Sequence, residues 1–205
     1  MAKGARRPKS DKKSLLQPLQ AVNFELSGRG TLRNLGRIES TAKSYSLSQN
    51  SLFCVFYMNE ILNRALPESE VFTRLFQQYE LSLNTLQALS SVPCELADIE
   101  PVLRNFEFVL LEELGYLPDF TYDSQNESEI VTNKSYSLMN EIGFVECDPH
   151  QSFAIRGLDI LAVNDNDWQP ASLKAAKKII RIALHPILGD KPIKSRELFS
   201  TKTTT

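Results

Sequence analysis

Hydrophobic and polar positions first alternate, and then recur with a helical period. In "QAVNFELSGRGTLRNLGRI", Val22, Phe24 and Leu26 alternate with polar Asn23 and Glu25, the period-2 pattern of a half-buried strand that puts Phe24 in a core register. "SGRG" supplies two glycines for a tight reversal, and a second, less regular strand is expected from Leu32. Upstream, Pro8, Ser10 and Asp11 interrupt "RRPKSDKKS", which predicts a loop. A lone hairpin buries too little to be stable by itself.

From Ser44 to about Leu117 the period changes. Phe53, Tyr57, Ile61 and Ala65 recur at i+4 in "NSLFCVFYMNEILNRAL", with Leu52, Val55, Phe56, Met58 and Leu62 widening the apolar face. Phe72, Leu75, Phe76, Tyr79, Leu83 and Leu86 share one face of a second helix, and Leu103, Phe106, Leu110 and Leu114 form the stripe of a third. Pro67 and Pro93 separate the helices, with Asp98 the expected N-cap and Gly115 the expected C′ residue of the third. Aromatic residues at this spacing indicate packing, and three such stripes predict a bundle. From Asp119 to Asp167 the pattern decays. "DFTYDSQNESE" reads as a polar loop, and "YSLMNEIGFVECD" and "SFAIRG" read as short strands around turns. "QPASLKAAKKIIRIAL" restores a helix with Leu173, Ala176, Ile180 and Leu184 inward, expected to stop at Pro186. A basic loop and an apolar anchor, Leu198-Phe199, follow.

Charge changes the picture. The 205 residues carry a net charge of −2, yet residues 1–43 hold ten Lys/Arg against three acids. Residues 44–170 hold five against twenty, and residues 171–205 hold eight against two. The mildly acidic balance therefore conceals two cationic ends, and sequence-distant ends can share one surface once folded. The longest apolar run, Leu52–Met58, is far short of the ~18 residues of a membrane span, so no membrane role is expected. Cys54, Cys94 and Cys147 are odd in number and widely spaced, which favours reduced thiols in a cytoplasmic setting over a disulfide framework or zinc site. No catalytic constellation stands out. His150 and His185 lack local partners of a metal or triad type, and "GDKPIKS" has Ile193 where a phosphate loop needs glycine. The expectation is a binding protein and not an enzyme, with no metal and no cofactor.

Specific motifs carry this further. "AKGARRPKS", "LQPL", "SGRGTLRNL", "MNEILNRALPE", "LRNFEFVLLEELGYLPDF" and "ALHPILGDKPIKSRELF" occur in an order and spacing that resembles the RecO family of bacterial recombination mediators, from residue 2 to 199. The resemblance implies an α+β fold. Its parts are an incomplete N-terminal OB-fold barrel segment (residues 1–43, a basic loop and β-hairpin) and a mainly α-helical domain (44–199) with a small irregular insertion at about 119–167. A disordered tail (200–205) follows. In the family the "AKGAR" segment comes after two strands and most of a third. The barrel is therefore expected to be open, with exposed strand edges. Some members carry a four-cysteine zinc finger after the "LGY" segment. The matching stretch here has no cysteine, so no zinc is expected.

The resemblance implies a cytoplasmic, nucleoid-associated protein of DNA repair that binds single- and double-stranded DNA and anneals complementary strands. It would recognise the C-terminal tail of single-stranded-DNA-binding protein and, with RecR, help load recombinase. DNA contacts are expected from Lys3, Arg6, Arg7, Lys9, Lys12 and Lys13 on the basic loop and from Arg29, Arg33 and Arg37 beside the hairpin. Lys191, Lys194 and Arg196 would extend the track. These cations would neutralise phosphates without reading sequence. Arg104 matches the family position that contacts the acidic tail; its alternative is an ion pair with Glu107 or Glu100 on the helix surface. The alternative function is a docking module for that tail, with DNA binding weakened by the missing strands.

Overall fold

In the computed structural model of the protein, residues 11–29, 33–42, 44–68 and 70–200 are described. The chain divides into two units, Met1–Ser46 and Leu47–Thr205. In the first, β1 (Val22–Ser27) pairs antiparallel with β2 (Asn34–Ser40). The register runs Val22 to Ser40 and Phe24 to Ile38, then shifts between Phe24 and Leu26. Such a bulge breaks the alternation that keeps one set of side chains on one face. The expected burial of Phe24 does not occur: it is 54% exposed, and Leu26 is exposed too. Among the described residues these two strands are not closed into a barrel, and β1 is exposed from Asn23 to Ser27, so the apolar register has no layer to meet. The basic stretch is also not wholly loop. Asp11–Leu15 form a short helix, α1, tied to β2 by Lys12, whose Nζ donates to the carbonyls of Leu35 (3.3 Å) and Gly36 (3.1 Å).

The second unit is built on α2 (Gln49–Ala65), α3 (Thr73–Ser90), α4 (Leu96–Glu113) and α6 (Pro170–Leu188). Their inward faces meet in a core that includes Met58, Ile61, Leu86, Phe106, Leu110 and Ile179, all without exposed surface; full burial of such side chains contributes roughly 1.5–3 kcal/mol each. Two stripe residues fall outside it. Phe56 is exposed on α2, where Cys54 and Val55 take the inward places. Phe76 is 61% exposed because Leu75, about 100° earlier round the helix, faces the core. The third helix begins earlier than expected: Glu95 is the N-cap, and Asp98 is its reciprocal partner three residues on, accepting from the Glu95 amide at 2.8 Å. Gly115, in the left-handed region at φ 75°, follows the C-cap Leu114 as expected.

The insertion is more regular than its sequence suggests. β3 (Tyr122–Asp123), β4 (Ser128–Glu129), β5 (Ser135–Met139), β6 (Gly143–Glu146) and β7 (Ile155–Arg156) form one sheet in the order β4-β3-β6-β5-β7. The polar segment read as loop enters this sheet because Asp123 is buried and accepts from the Gln125 and Asn126 amides and from Asn126 Nδ2, closing the β3–β4 turn. Helix α5 (Gly157–Asn164) was not anticipated, since its apolar residues form no stripe. Phe108 of α4, Phe120 and Phe144 of β6 form an aromatic chain, with centroids 5.4 and 6.0 Å apart, that joins helices to sheet. Pro186 does not stop α6. The helix continues to Leu188 and ends at Gly189, φ 64°; a proline in the last turn forfeits one backbone bond and is tolerated there.

Candidate functional site

The Arg104 ion pairs predicted from helical spacing do form, but inside the protein. Arg104 is 6% exposed and Glu107, one turn on, has no exposed surface. Arg104 Nη1 lies 2.7 Å from Glu107 Oε2, and its Nε lies 3.8 Å from Glu100 Oε1. The Tyr57 hydroxyl on α2 donates to Glu107 Oε1. Arg196, in the 3-10 turn Lys194–Arg196, sits 5.5 Å above the Tyr57 ring, with Nη2 3.5 Å from its oxygen. Burial pushes the Glu107 carboxyl above the ordinary glutamate range, against the opposing pull of Arg104 and Tyr57. The Tyr57 phenol is raised for the same reason, first by burial and then by the Glu107 charge.

Tyr57, Glu100, Arg104 and Arg196 of this group line a cavity of about 300 Å³. Arg104, Lys177, Arg181 and Arg196 line it against one surface carboxylate, Glu100, and Leu96, Leu103, Ile180 and Phe199 supply apolar wall. Phe199, on α7 (Glu197–Ser200), is held edge-on to Phe53 at 5.8 Å, so the predicted anchor closes one side. Arg104 Nε and Glu107 Oε2 have no hydrogen-bond partner; the 2.7 Å contact between the two residues brings opposite charges together without bond alignment. Leaving a buried donor without a hydrogen bond costs about 1–3 kcal/mol, and the Glu100 carboxylate 3.8 Å from Nε offers charge but no bond.

Residues from one sequence motif hold the C-terminal loop that brings in Arg196. Glu60 accepts from the amides of Lys194 (2.9 Å) and Ser195 (2.8 Å) and from the Ser195 hydroxyl (2.7 Å). Arg64 donates to the carbonyls of Leu188, Lys191 (2.8 Å) and Pro192 (3.3 Å). "MNEILNRALPE" and "GDKPIKSRELF" are thus two halves of one clamp.

The remaining sequence-derived cations are placed as follows. Lys3, Arg6, Arg7 and Lys9 lie outside the described residues. Lys12 is occupied by the β2 carbonyls, Lys13, Arg29 and Arg33 are exposed, and Arg37 pairs with Glu39. Lys191 lines a shallow hollow beside the cavity, sharing Arg181 and Arg196 with it, and Lys194 is exposed. Sequence spacing does not point to Tyr57, Lys177 and Arg181 as site residues; the i, i+4, i+7 spacing of Glu100, Arg104 and Glu107 is the visible signal. Cys54, wholly buried beside this group, has its thiol pushed up to about 12 by burial, which disfavours the reactive thiolate. Among the described residues no cluster of His, Cys, Asp or Glu could hold a metal, and no helix is long and apolar enough to cross a membrane.

Residues 48–197, which include the whole cavity except Phe199, match the family model "Recombination protein O C terminal". The chain belongs to the RecO family. It is 43% identical over 204 residues to DNA repair protein RecO of Alteromonas mediterranea, covering 98% of this chain and 84% of that one. RecO of Pseudoalteromonas atlantica is 40% identical over 200 residues (97% and 80%), and RecO of Pseudomonas putida KT2440 is 40% identical over 195 (95% and 82%). The α+β fold class expected from the resemblance is the one observed: a small open sheet precedes helices α2 to α4, and a second sheet lies between α4 and α5.

Proposed function

We propose that, within the DNA repair and recombination role of its family, this protein is a non-catalytic mediator that docks the acidic C-terminal tail of single-stranded-DNA-binding protein in the Arg104 cavity. The observation that carries the reading is a buried guanidinium, Arg104, in an apolar-walled cavity lined by three further cations against the single carboxylate of Glu100. A peptide that ends in an apolar residue satisfies every part of it. Its side chain covers Leu103 and Ile180, its terminal carboxylate meets Arg104, and its upstream acids face Lys177, Arg181 and Arg196. DNA is bound separately by the basic N-terminal segment, Lys3 to Lys13, with Arg29, Arg33 and Arg37, through phosphate neutralisation. Lys191 and Lys194 extend that track, and Arg196 serves the cavity. With RecR, the two activities bring recombinase to strands coated by the single-strand-binding protein.

A fluorescent nonapeptide with an acidic stretch and a terminal phenylalanine tests this on the full chain. Arg104→Ala should weaken its binding at least tenfold, in line with the roughly 1.5–3 kcal/mol of a charged hydrogen bond, and so should amidation of the peptide's carboxylate. Unchanged affinity in either case would remove the assignment.

A further inference from the structure

A second cavity in the same unit has the opposite character. It encloses about 310 Å³ between the segment after α4 (residues 115–119), the β5–β6 hairpin and α6. Apolar side chains stand open around it: Tyr116, Met139 and Ile142, the last 55% exposed. Its charged lining residues are Asp119 and Glu141, and no Lys, Arg or His lines it. The first cavity has four cations against one carboxylate. Both touch α6, the first through Lys177, Ile180 and Arg181 and the second through Ala183 and Pro186.

The walls are built before anything binds. The Tyr116 amide donates to the Leu111 carbonyl (2.8 Å) and the Gly115 amide to that of Glu112 (3.0 Å), fixing the first wall at the end of α4. Across from it, the Ile142 amide donates to the Met139 carbonyl (3.2 Å), closing the hairpin tip. The tip is seated by Gly143, φ 110°, where an added Cβ would lie 2.6 Å from Ser124 Oγ. Pro118 and Pro186 stiffen the rim. Asp119 stays anionic: the Thr121 hydroxyl and amide donate to it (2.6 and 2.8 Å) and hold its carboxyl below the ordinary aspartate range.

We propose that this cavity is a second protein-docking site, which takes an apolar side chain of a partner flanked by lysines or arginines. The commitment to a basic partner rests on charge complementarity. Nucleic acid and acidic peptides would bring anions against Asp119 and Glu141 with no cation to receive them, whereas Lys or Arg flanks pair with both while an aliphatic or aromatic side chain covers Tyr116, Met139 and Ile142. One helix would then hold an acidic partner and a basic one at separate sites.

The test uses the full chain and fluorescent octapeptides with a central leucine or phenylalanine and flanks of Lys/Arg, Ser or Asp/Glu. The Lys/Arg-flanked members should bind at least tenfold more tightly than the Asp/Glu-flanked ones. Ile142→Arg and Glu141→Lys, both at an exposed hairpin tip, should each weaken that binding at least fivefold while leaving thermal unfolding and binding of the acidic-tail peptide unchanged. Absence of a flank preference, or equal binding to both variants, overturns the proposal. So does displacement of the basic peptides by a single-stranded oligonucleotide, which would mark a nucleic-acid site. A concentration-dependent dimer in sedimentation that Ile142→Arg abolishes would assign the surface to a second copy of the chain instead.

Discussion

Glu107 has no exposed surface, an arginine on one side and a tyrosine on the other, and its ionisation depends on which of two opposing effects is larger. Burial outweighs the attraction of Arg104, so its folded-state pKa is raised. A raised pKa contributes stability that is fully present below the unfolded value, about 4.3, and that is lost as pH rises through the folded value. Glutamine is neutral throughout and keeps an acceptor for Tyr57. Glu107→Gln should therefore match the parent near pH 4 and exceed its stability at pH 8, the gap widening between, as read by urea unfolding across that range. It should also release Arg104 Nη1 and tighten the acidic-tail peptide. Lower stability at pH 8 would mean that the ion pair outweighs the desolvation. Residue spacing alone disclosed Glu100, Arg104 and Glu107 as neighbours. It could not disclose that Arg104 and Glu107 are buried, because the group they join includes Tyr57 and Arg196, which meet over 139 residues of separation.

The elements divide by how far their cause lies along the chain. α2, α3, α4 and α6 were legible because an amphipathic stripe is local. The sheet of the insertion was mostly hidden, since strands of two residues carry no period and β3 meets β6 only through tertiary pairing. α5 was hidden because nearly all its side chains are apolar. The C-terminal loop looked merely basic, yet Glu60 and Arg64 define it. Burial opposes the ionisation of Glu60, but the hydrogen bonds from Ser195 and Lys194 and the Arg64 charge together hold its carboxyl below the ordinary range. Stability from this clamp is present above the unfolded pKa and lost as pH falls through the folded one. Glu60→Ala should cost about 2 kcal/mol at pH 7, less near pH 3, and should weaken the acidic-tail peptide several-fold by releasing Arg196 and Phe199; denaturant melts and fluorescence titration check the two parts. At the start of α5, a Cβ on Gly157 would stand 2.1 Å from the Val131 carbonyl oxygen. Gly157→Ala should destabilise by about 1–3 kcal/mol, measured by thermal unfolding, with tail binding at 20 °C retained.

At the scale of the molecule, charge is sorted along the chain instead of mixed. The segment of residues 44–170 carries twenty acids, but the Arg104 cavity is cationic because α4, α6 and the C-terminal turn each contribute a basic side chain to it. That convergence is not readable from the chain: the basic neighbours of Arg196 group it with the cations expected to meet DNA, and the clamp on the C-terminal loop brings it to the cavity that Arg104 also lines. The N-terminal cations differ: Lys13, Arg29 and Arg33 are exposed, and their neighbourhood in sequence is what groups them. If the two sets act separately, salt should distinguish them. Single-strand DNA binding should fall linearly in log K against log salt, with a slope that shrinks by about 0.7 for each phosphate contact removed. Lys13→Glu with Arg29→Glu should flatten that slope and leave the acidic-tail peptide unaffected. Arg104→Ala should leave the DNA slope intact while abolishing most peptide binding, because a desolvated contact inside a cavity is screened far less than exposed charges on a strand pair. A loss of both activities in either variant would mean that DNA and the tail share one surface.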